Sequence, residues 1–180
     1  SFTAPPVLWR VDRTAAGATV TRWSGSDGGA GPEMTVTHTS CRSPDGTEVG
    51  LFLIHRADIT PNPETPTMLG GYGGFNIAPG PGWQLPRVTA WCRAGGLAAI
   101  AQMRGGSEHG EDWHVAGSRA NKQNVFDDFH AAADHLVASG LTSRERLSIF
   151  GGSNGGLLVG AALTQRPDLC AAVVCAVPLL

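Results

Sequence analysis

From Thr67 onward, short uninterrupted apolar runs alternate with stretches of helical periodicity, in the order "TMLGGYGG", "GGLAAIAQM", "QNVFDDFHAAADHLVASG", "RLSIF", "NGGLLVGAALTQR" and "CAAVVCAV". A strand that is apolar at every position must be covered on both faces, and helices that join such strands in sequence supply the two covering layers. The alternation predicts an α/β fold with a mostly parallel sheet and helices on both faces. A chain of 180 residues is long enough to hold it, since a domain of about 150 residues buries roughly 70% of the surface its unfolded chain exposes.

The longest helical segment carries its own end signals. Asn124 is placed to cap it with Asp127 three residues on, Phe126, Phe129, Ala133 and Leu136 recur at helical spacing as the buried face, and Gly140 closes it. Asp127, Asp128, His130 and His135 then read as first-turn acids and solvent-side polar groups. Upstream, "MTVTHTSCRSPDGTEVGLFLIHR" reads as a hairpin turning at Pro44-Asp45-Gly46 and starting the sheet, and a Pro-rich link runs from Pro61 to Pro66. Residues 1–33 are rich in Gly, Ser, Thr and Pro, with "VLWRVD" and "ATVTRWS" as two short strands around a turn at Ala16 and Gly17. Two strands do not make a stable unit alone.

Several function classes fall away. The formal net charge is −2 and the only lysine is Lys122, so no basic stripe exists to neutralise a phosphate backbone, and nucleic acid is not expected as a partner. The "RGG" at Arg104 to Gly106 occurs once and reads as a turn. No apolar run approaches the roughly 20 residues that cross a bilayer. Cys41, Cys92, Cys170 and Cys175 form no CxxC pair and are too sparse for a disulfide scaffold, which favours a reducing compartment, the cytoplasm, over the periplasm or secretion. His109 and His114 stand five apart rather than at the i, i+4 spacing of a metal helix, and neither a metal nor a cofactor is expected.

In "RLSIFGGSNGGLLVGAAL", Gly151, Ser153 and Gly155 fit G-x-S-x-G directly after a predicted strand and directly before a predicted helix. On so tight a turn the serine backbone is strained and side chains two residues away on either side would collide, which is why glycine is needed there. The turn lifts the Ser153 hydroxyl clear of the sheet, and the backbone N–H of Asn154 points from the helix start to the place where an oxyanion would form. The same turn also joins strands to helices where no chemistry occurs. A phosphate loop is disfavoured because no G-x-x-x-x-G-K-[ST] is present and the lone lysine is remote in the chain.

Five blocks, "GGYGGFNI" at 70–77, "RGGSEHGEDWH" at 104–114, "ANKQNVFDDF" at 120–129, "LTSRERLSIFGGSNGGLLVGA" at 141–161 and "QRPDL" at 165–169, resemble in this order and spacing the prolyl oligopeptidases. The resemblance is close over residues 34–180 and loose over 1–33. It implies an α/β-hydrolase serine peptidase that cleaves short peptides after proline, with a β-propeller restricting entry and the enzyme acting as a monomer. Residues 1–33 would be the last propeller strands and 34–180 the first half of the catalytic domain. By the same resemblance Ser153 is the nucleophile, Asn154 gives its backbone N–H to the oxyanion, the Tyr72 hydroxyl is the second oxyanion donor, and Phe75 lines the pocket for the substrate proline. Read without the resemblance, Tyr72 and Phe75 are turn and core aromatics.

A serine hydroxyl needs a histidine to take its proton and an acid to orient that histidine, and in α/β-hydrolases the chain order is Ser, acid, His. After Ser153 the sequence has no histidine, and its only acid, Asp168, reads as a cap of the turn after Pro167. The sequence is therefore expected to be a fragment, inactive alone and prone to aggregate at an unpaired sheet edge, with the acid and histidine beyond Leu180. Alternatives are an oligopeptidase cutting after basic residues, an acyl-peptide hydrolase, and a truncated peptide-binding product without chemistry.

Overall fold

The computed structural model describes residues 5–25, 32–80 and 85–179. The first four residues, the 26–31 stretch and residue 180, which the sequence reading assigned to the propeller-like segment and the closing apolar run, lie outside that set. Strands β1 (Val7–Thr14) and β2 (Gly17–Gly25) form a two-stranded antiparallel ladder of their own.

A second sheet begins at β3 (Met34–Arg42) and β4 (Glu48–Arg56), the expected hairpin. Its turn holds because Gly46, at φ 86°, donates its N–H to Ser43 O (2.9 Å) and the Asp45 carboxylate accepts the Thr47 N–H (2.9 Å). The chain then runs through β5 (Thr67–Gly71), α1 (Leu85–Arg93), β6 (Leu97–Gln102), α2 (Glu111–Val115), α3 (Gln123–Ala138), β7 (Leu147–Gly152), α4 (Asn154–Gln165) and β8 (Ala172–Ala176). The strand order is β3-β4-β6-β5-β7-β8, antiparallel on the β3, β4 and β6 side and parallel from β6 to β8.

The period-2 geometry of strands divides the apolar runs between two layers. Leu51, Leu53, Leu69, Ala99, Ala101 and Ile149 share one core with Phe129, Ala133 and Leu136 of α3 and Leu158 and Val159 of α4. Ile54, Ala98 and Ile100 share the other with Val88 and Cys92 of α1. Helices therefore cover both faces, as the continuous apolar runs demand. Each fully buried Leu, Ile or Phe contributes about 1.5–3 kcal/mol, so no single strand decides the fold.

Helix α3 corrects two expectations. Asn124 does not cap it. The chain enters through the 3₁₀ turn Arg119–Asn121 with Lys122 already helical, and Asn124 Nδ2 instead donates to Ala116 O (2.9 Å). Asp128 and His130 are not on the solvent side: they are 0% and 9% exposed, while Phe126 is only partly buried. The stripe Val125, Asp128, Phe129, Ala132, Leu136 follows helical spacing, so an acid lies on the buried face and must find partners there. The helix ends as expected at Gly140, whose φ of 69° lets its N–H reach Val137 O (3.0 Å) while the Leu141 N–H reaches Leu136 O (3.1 Å). Asp168 pairs with Arg166 (2.8 Å) rather than capping a turn.

Candidate active site

Strand β7 stops at Gly152 and helix α4 starts at Asn154, so Ser153 alone makes the turn, at φ 56° and ψ −119°. Such a conformation costs about 1–3 kcal/mol in a non-glycine residue and persists only where neighbours impose it. They do so here through the backbone. The Ser153 N–H donates to Ala176 O (3.1 Å), and Ser153 O accepts the N–H groups of Gly156 (2.9 Å), Leu157 (3.2 Å) and Leu179 (3.0 Å). The glycines are steric necessities: a Cβ on Gly151 would lie 1.8 Å from Gly155 O, and one on Gly155 would lie 2.8 Å from Gly71 O. Ser153 is exposed, and among the described residues its hydroxyl has no hydrogen-bond partner. The Asn154 N–H stands at the first helical position, in the set that a helix leaves without intrahelical acceptors.

Tyr72 follows β5 directly, and the segment after it turns through positive φ at Gly73 (60°), Phe75 (55°) and Asn76 (57°). This turn is bound to the elbow. The Asn154 side chain, 3% exposed, donates from Nδ2 to Tyr72 O (2.5 Å) and packs where a Cβ on Gly74 would meet it at 2.6 Å. Tyr72 is half-buried with no hydroxyl partner among the described residues, and its ring centroid is 6.4 Å from that of Phe75. Phe75 is 62% exposed, which excludes it from the core.

Lys122 closes the same assembly: its Nζ donates to Gly73 O (2.7 Å) and lies 3.4 Å from Asn154 Oδ1. The sequence reading placed this lysine far from the elbow. It is distant along the chain, and α3 carries it back. Burial depresses its proton affinity.

The turn at Arg104 to Gly106 supports the Tyr72 segment from behind. Gly105 O accepts the Asn76 N–H (3.1 Å) and His114 Nδ1 (2.9 Å), and a Cβ on Gly105 would lie 2.6 Å from Gly73 O. Arg104, 5% exposed, anchors the turn to Asp128 through its backbone N–H (3.1 Å), Nε (3.0 Å) and Nη2 (2.6 Å). Ser43 Oγ donates to the same carboxylate (2.6 Å), and Arg104 Nη1 also reaches Asp45 (2.5 Å). The Thr47 N–H first, and Arg104 second, hold the Asp45 carboxyl at about 2. Burial, aided by the Asp128 charge, pushes the nearby Cys41 thiol up to about 11. Sequence reasoning missed this cluster because it took Arg104 as a turn residue and Asp128 as solvated; the acid on an apolar stripe was the available signal.

Beside the elbow lies a cleft of about 410 Å³, lined by Gly71, Tyr72, Ile77, Pro79, Arg87 and Gly151 among others. The Arg87 guanidinium stands 3.7 Å over the Phe150 ring. No histidine or carboxylate hydrogen-bonds to Ser153 among the described residues. His109 packs edge-on against Trp113. Among the described residues no three His, Cys, Asp or Glu side chains gather as metal ligands, and no helix is long and apolar enough to cross a membrane.

The geometry matches known proteins. The model of the prolyl oligopeptidase family matches residues 83–180. A prolyl endopeptidase of Elizabethkingia meningoseptica is 43% identical over 127 residues, which are 71% of this chain and 18% of that protein. A solved prolyl endopeptidase structure superposes on 100% of this chain and 26% of its own at a TM-score of 0.90 and 47% identity. Oligopeptidase B of Trypanosoma brucei, solved with covalently bound antipain, covers 100% of this chain and 26% of its own at a TM-score of 0.86 and 37% identity. The chain thus spans about a quarter or less of these relatives, and its sheet is the α/β-hydrolase sheet of their catalytic domains. With a family model over more than half of its residues and an elbow built as that fold requires, the chain belongs to the prolyl oligopeptidase family.

Proposed function

We propose that the whole protein carrying this sequence is a serine endopeptidase that cleaves short peptides after proline through an acyl-enzyme on Ser153. The observation that carries this reading is an exposed hydroxyl, without a hydrogen-bond partner among the described residues, on a backbone-locked elbow beside a helix-start N–H and a turn tied to that elbow through Asn154. Ser153 Oγ attacks the scissile carbonyl carbon and gives its proton to a base. The oxyanion is received by the Asn154 N–H and the Tyr72 hydroxyl, the amine leaves with a proton returned by the base, and water then releases the acyl group. The exposed Phe75 ring is the surface on which the substrate's proline packs. The base and its orienting acid are assigned to parts of the whole protein other than these 180 residues, since no described side chain hydrogen-bonds to Ser153 Oγ.

The separate β1–β2 ladder supports reading residues 1–33 as closing strands of a propeller, with the hydrolase domain starting at Met34. The likeness to oligopeptidase B favours a second reading, cleavage after basic residues. A fluorophosphonate probe applied to the whole protein is expected to label Ser153 and not the Ser153→Ala variant. Comparison of proline and arginine substrates then separates the two readings, and a folded protein that does not label refutes both.

A further inference from the structure

Lys122 is the only lysine among 180 residues, and it sits half-buried with no carboxylate partner among the described residues. A cation withdrawn from water without a counter-ion carries a desolvation cost that must be met by well-placed acceptors. Its acceptors are Gly73 O (2.7 Å) and Asn154 Oδ1 (3.4 Å), and the other end of the same amide donates to Tyr72 O (2.5 Å). One ammonium thus closes a ring of hydrogen bonds through the segment leading into α3, the nucleophile elbow and the turn after β5.

We infer that Lys122 is the positioning residue of the oxyanion site, holding the Tyr72 turn and the Asn154 elbow in mutual register and placing its positive charge behind them. The inference rests on the roles given above to Ser153, Asn154 and Tyr72. The two groups proposed to receive the oxyanion belong to residues 72 and 154, and Lys122 bonds to the backbone next to one and to the side chain of the other. A neutral residue of the same length would fill the space but would donate to neither acceptor. The charge acts most strongly when negative charge develops on the substrate oxygen, so its effect belongs to the transition state rather than to substrate binding.

The test uses the whole protein and the variants Lys122→Met, Lys122→Arg and Asn154→Ala. A misplacement of about 1 Å can cost on the order of 10²-fold in rate. Lys122→Met is therefore expected to lower kcat by roughly ten- to a hundredfold with KM nearly unchanged, and Lys122→Arg, which keeps charge and donors, to recover most of the loss. In the Asn154→Ala background Lys122→Met should cost less, because the contact to Asn154 Oδ1 is already gone and only the one to Gly73 O remains to be lost. If Lys122→Met does not fold, Lys122→Gln, which lacks the charge but keeps a donor on a shorter side chain, replaces it, with a smaller fall in kcat expected and again none confined to KM. Unchanged kcat, a loss confined to KM, or a loss that arginine does not rescue overturns the inference. Wild-type protein that fails to label at Ser153 removes the proposed function and this inference together, whereas labelling with an unaffected Lys122→Met removes this inference alone.

Discussion

Replacing Asp128 by alanine should unfold the region that backs the Tyr72 turn. Asp128 is 0% exposed and accepts from Ser43 Oγ, from the Arg104 backbone N–H and from the Arg104 guanidinium, whose side chain is 6% exposed. Removing one member of a buried pair costs about 3–5 kcal/mol, because the other is left as an uncompensated buried charge. The stranded Ser43 hydroxyl adds about 1 kcal/mol. Asp45, with a side chain 49% exposed, stays beside Arg104 and offsets part of this, so the low end, about 3 kcal/mol, is expected. At a urea slope of about 2 kcal/mol/M that loss moves the midpoint down by about 1.5 M. Tryptophan fluorescence is a suitable signal, since Trp113 donates to Met103 O (2.9 Å) next to Arg104. The double variant Arg104→Met, Asp128→Leu removes both charges and should lose less than Asp128→Ala alone. A loss below about 1 kcal/mol for Asp128→Ala, or a double variant weaker than the single, would refute the argument that the stranded charge dominates.

Other expectations follow from the same geometry. Tyr72→Phe should lower kcat of the whole protein by about 10²–10³ while leaving its melting temperature nearly unchanged, because the hydroxyl has no hydrogen-bond partner among the described residues to lose. Gly151→Ala should abolish fluorophosphonate labelling, since its Cβ would overlap Gly155 O at 1.8 Å and the helix start must shift; undiminished labelling would contradict the steric account. Glu108→Gln should raise stability near neutral pH. Among the described residues neither buried Glu108 carboxylate oxygen has a well-formed hydrogen bond, and burial, offset in part by the Glu108 N–H and by Trp113, raises the carboxyl above its ordinary range. A raised folded value means that stability is intact below the unfolded value of about 4.3 and is lost as pH rises through the folded one. The advantage of glutamine, read as a difference in melting temperature, should therefore shrink as pH falls toward 4 to 5.

The two covering layers, the hairpin at Pro44 to Gly46, the Gly140 helix end and the strand-elbow-helix around Ser153 were all legible in the sequence, because each depends on residues within a turn or two of one another. Apolar periodicity and the steric needs of single glycines are local properties, and local properties can be read from the order of residues. What only the tertiary structure decided is which distant groups meet. Asp128 looked like a solvated acid until Ser43, 85 residues away, and Arg104, 24 away, closed on it. Phe75 had a core reading and a pocket-lining one, and 62% exposure sets the core reading aside. Lys122 looked remote from the elbow and lies against Asn154, 32 residues on. Charges and hydrogen-bond donors show no periodicity of their own. Their partners are set by strand order and helix packing, so their roles emerge only once the sheet has assembled.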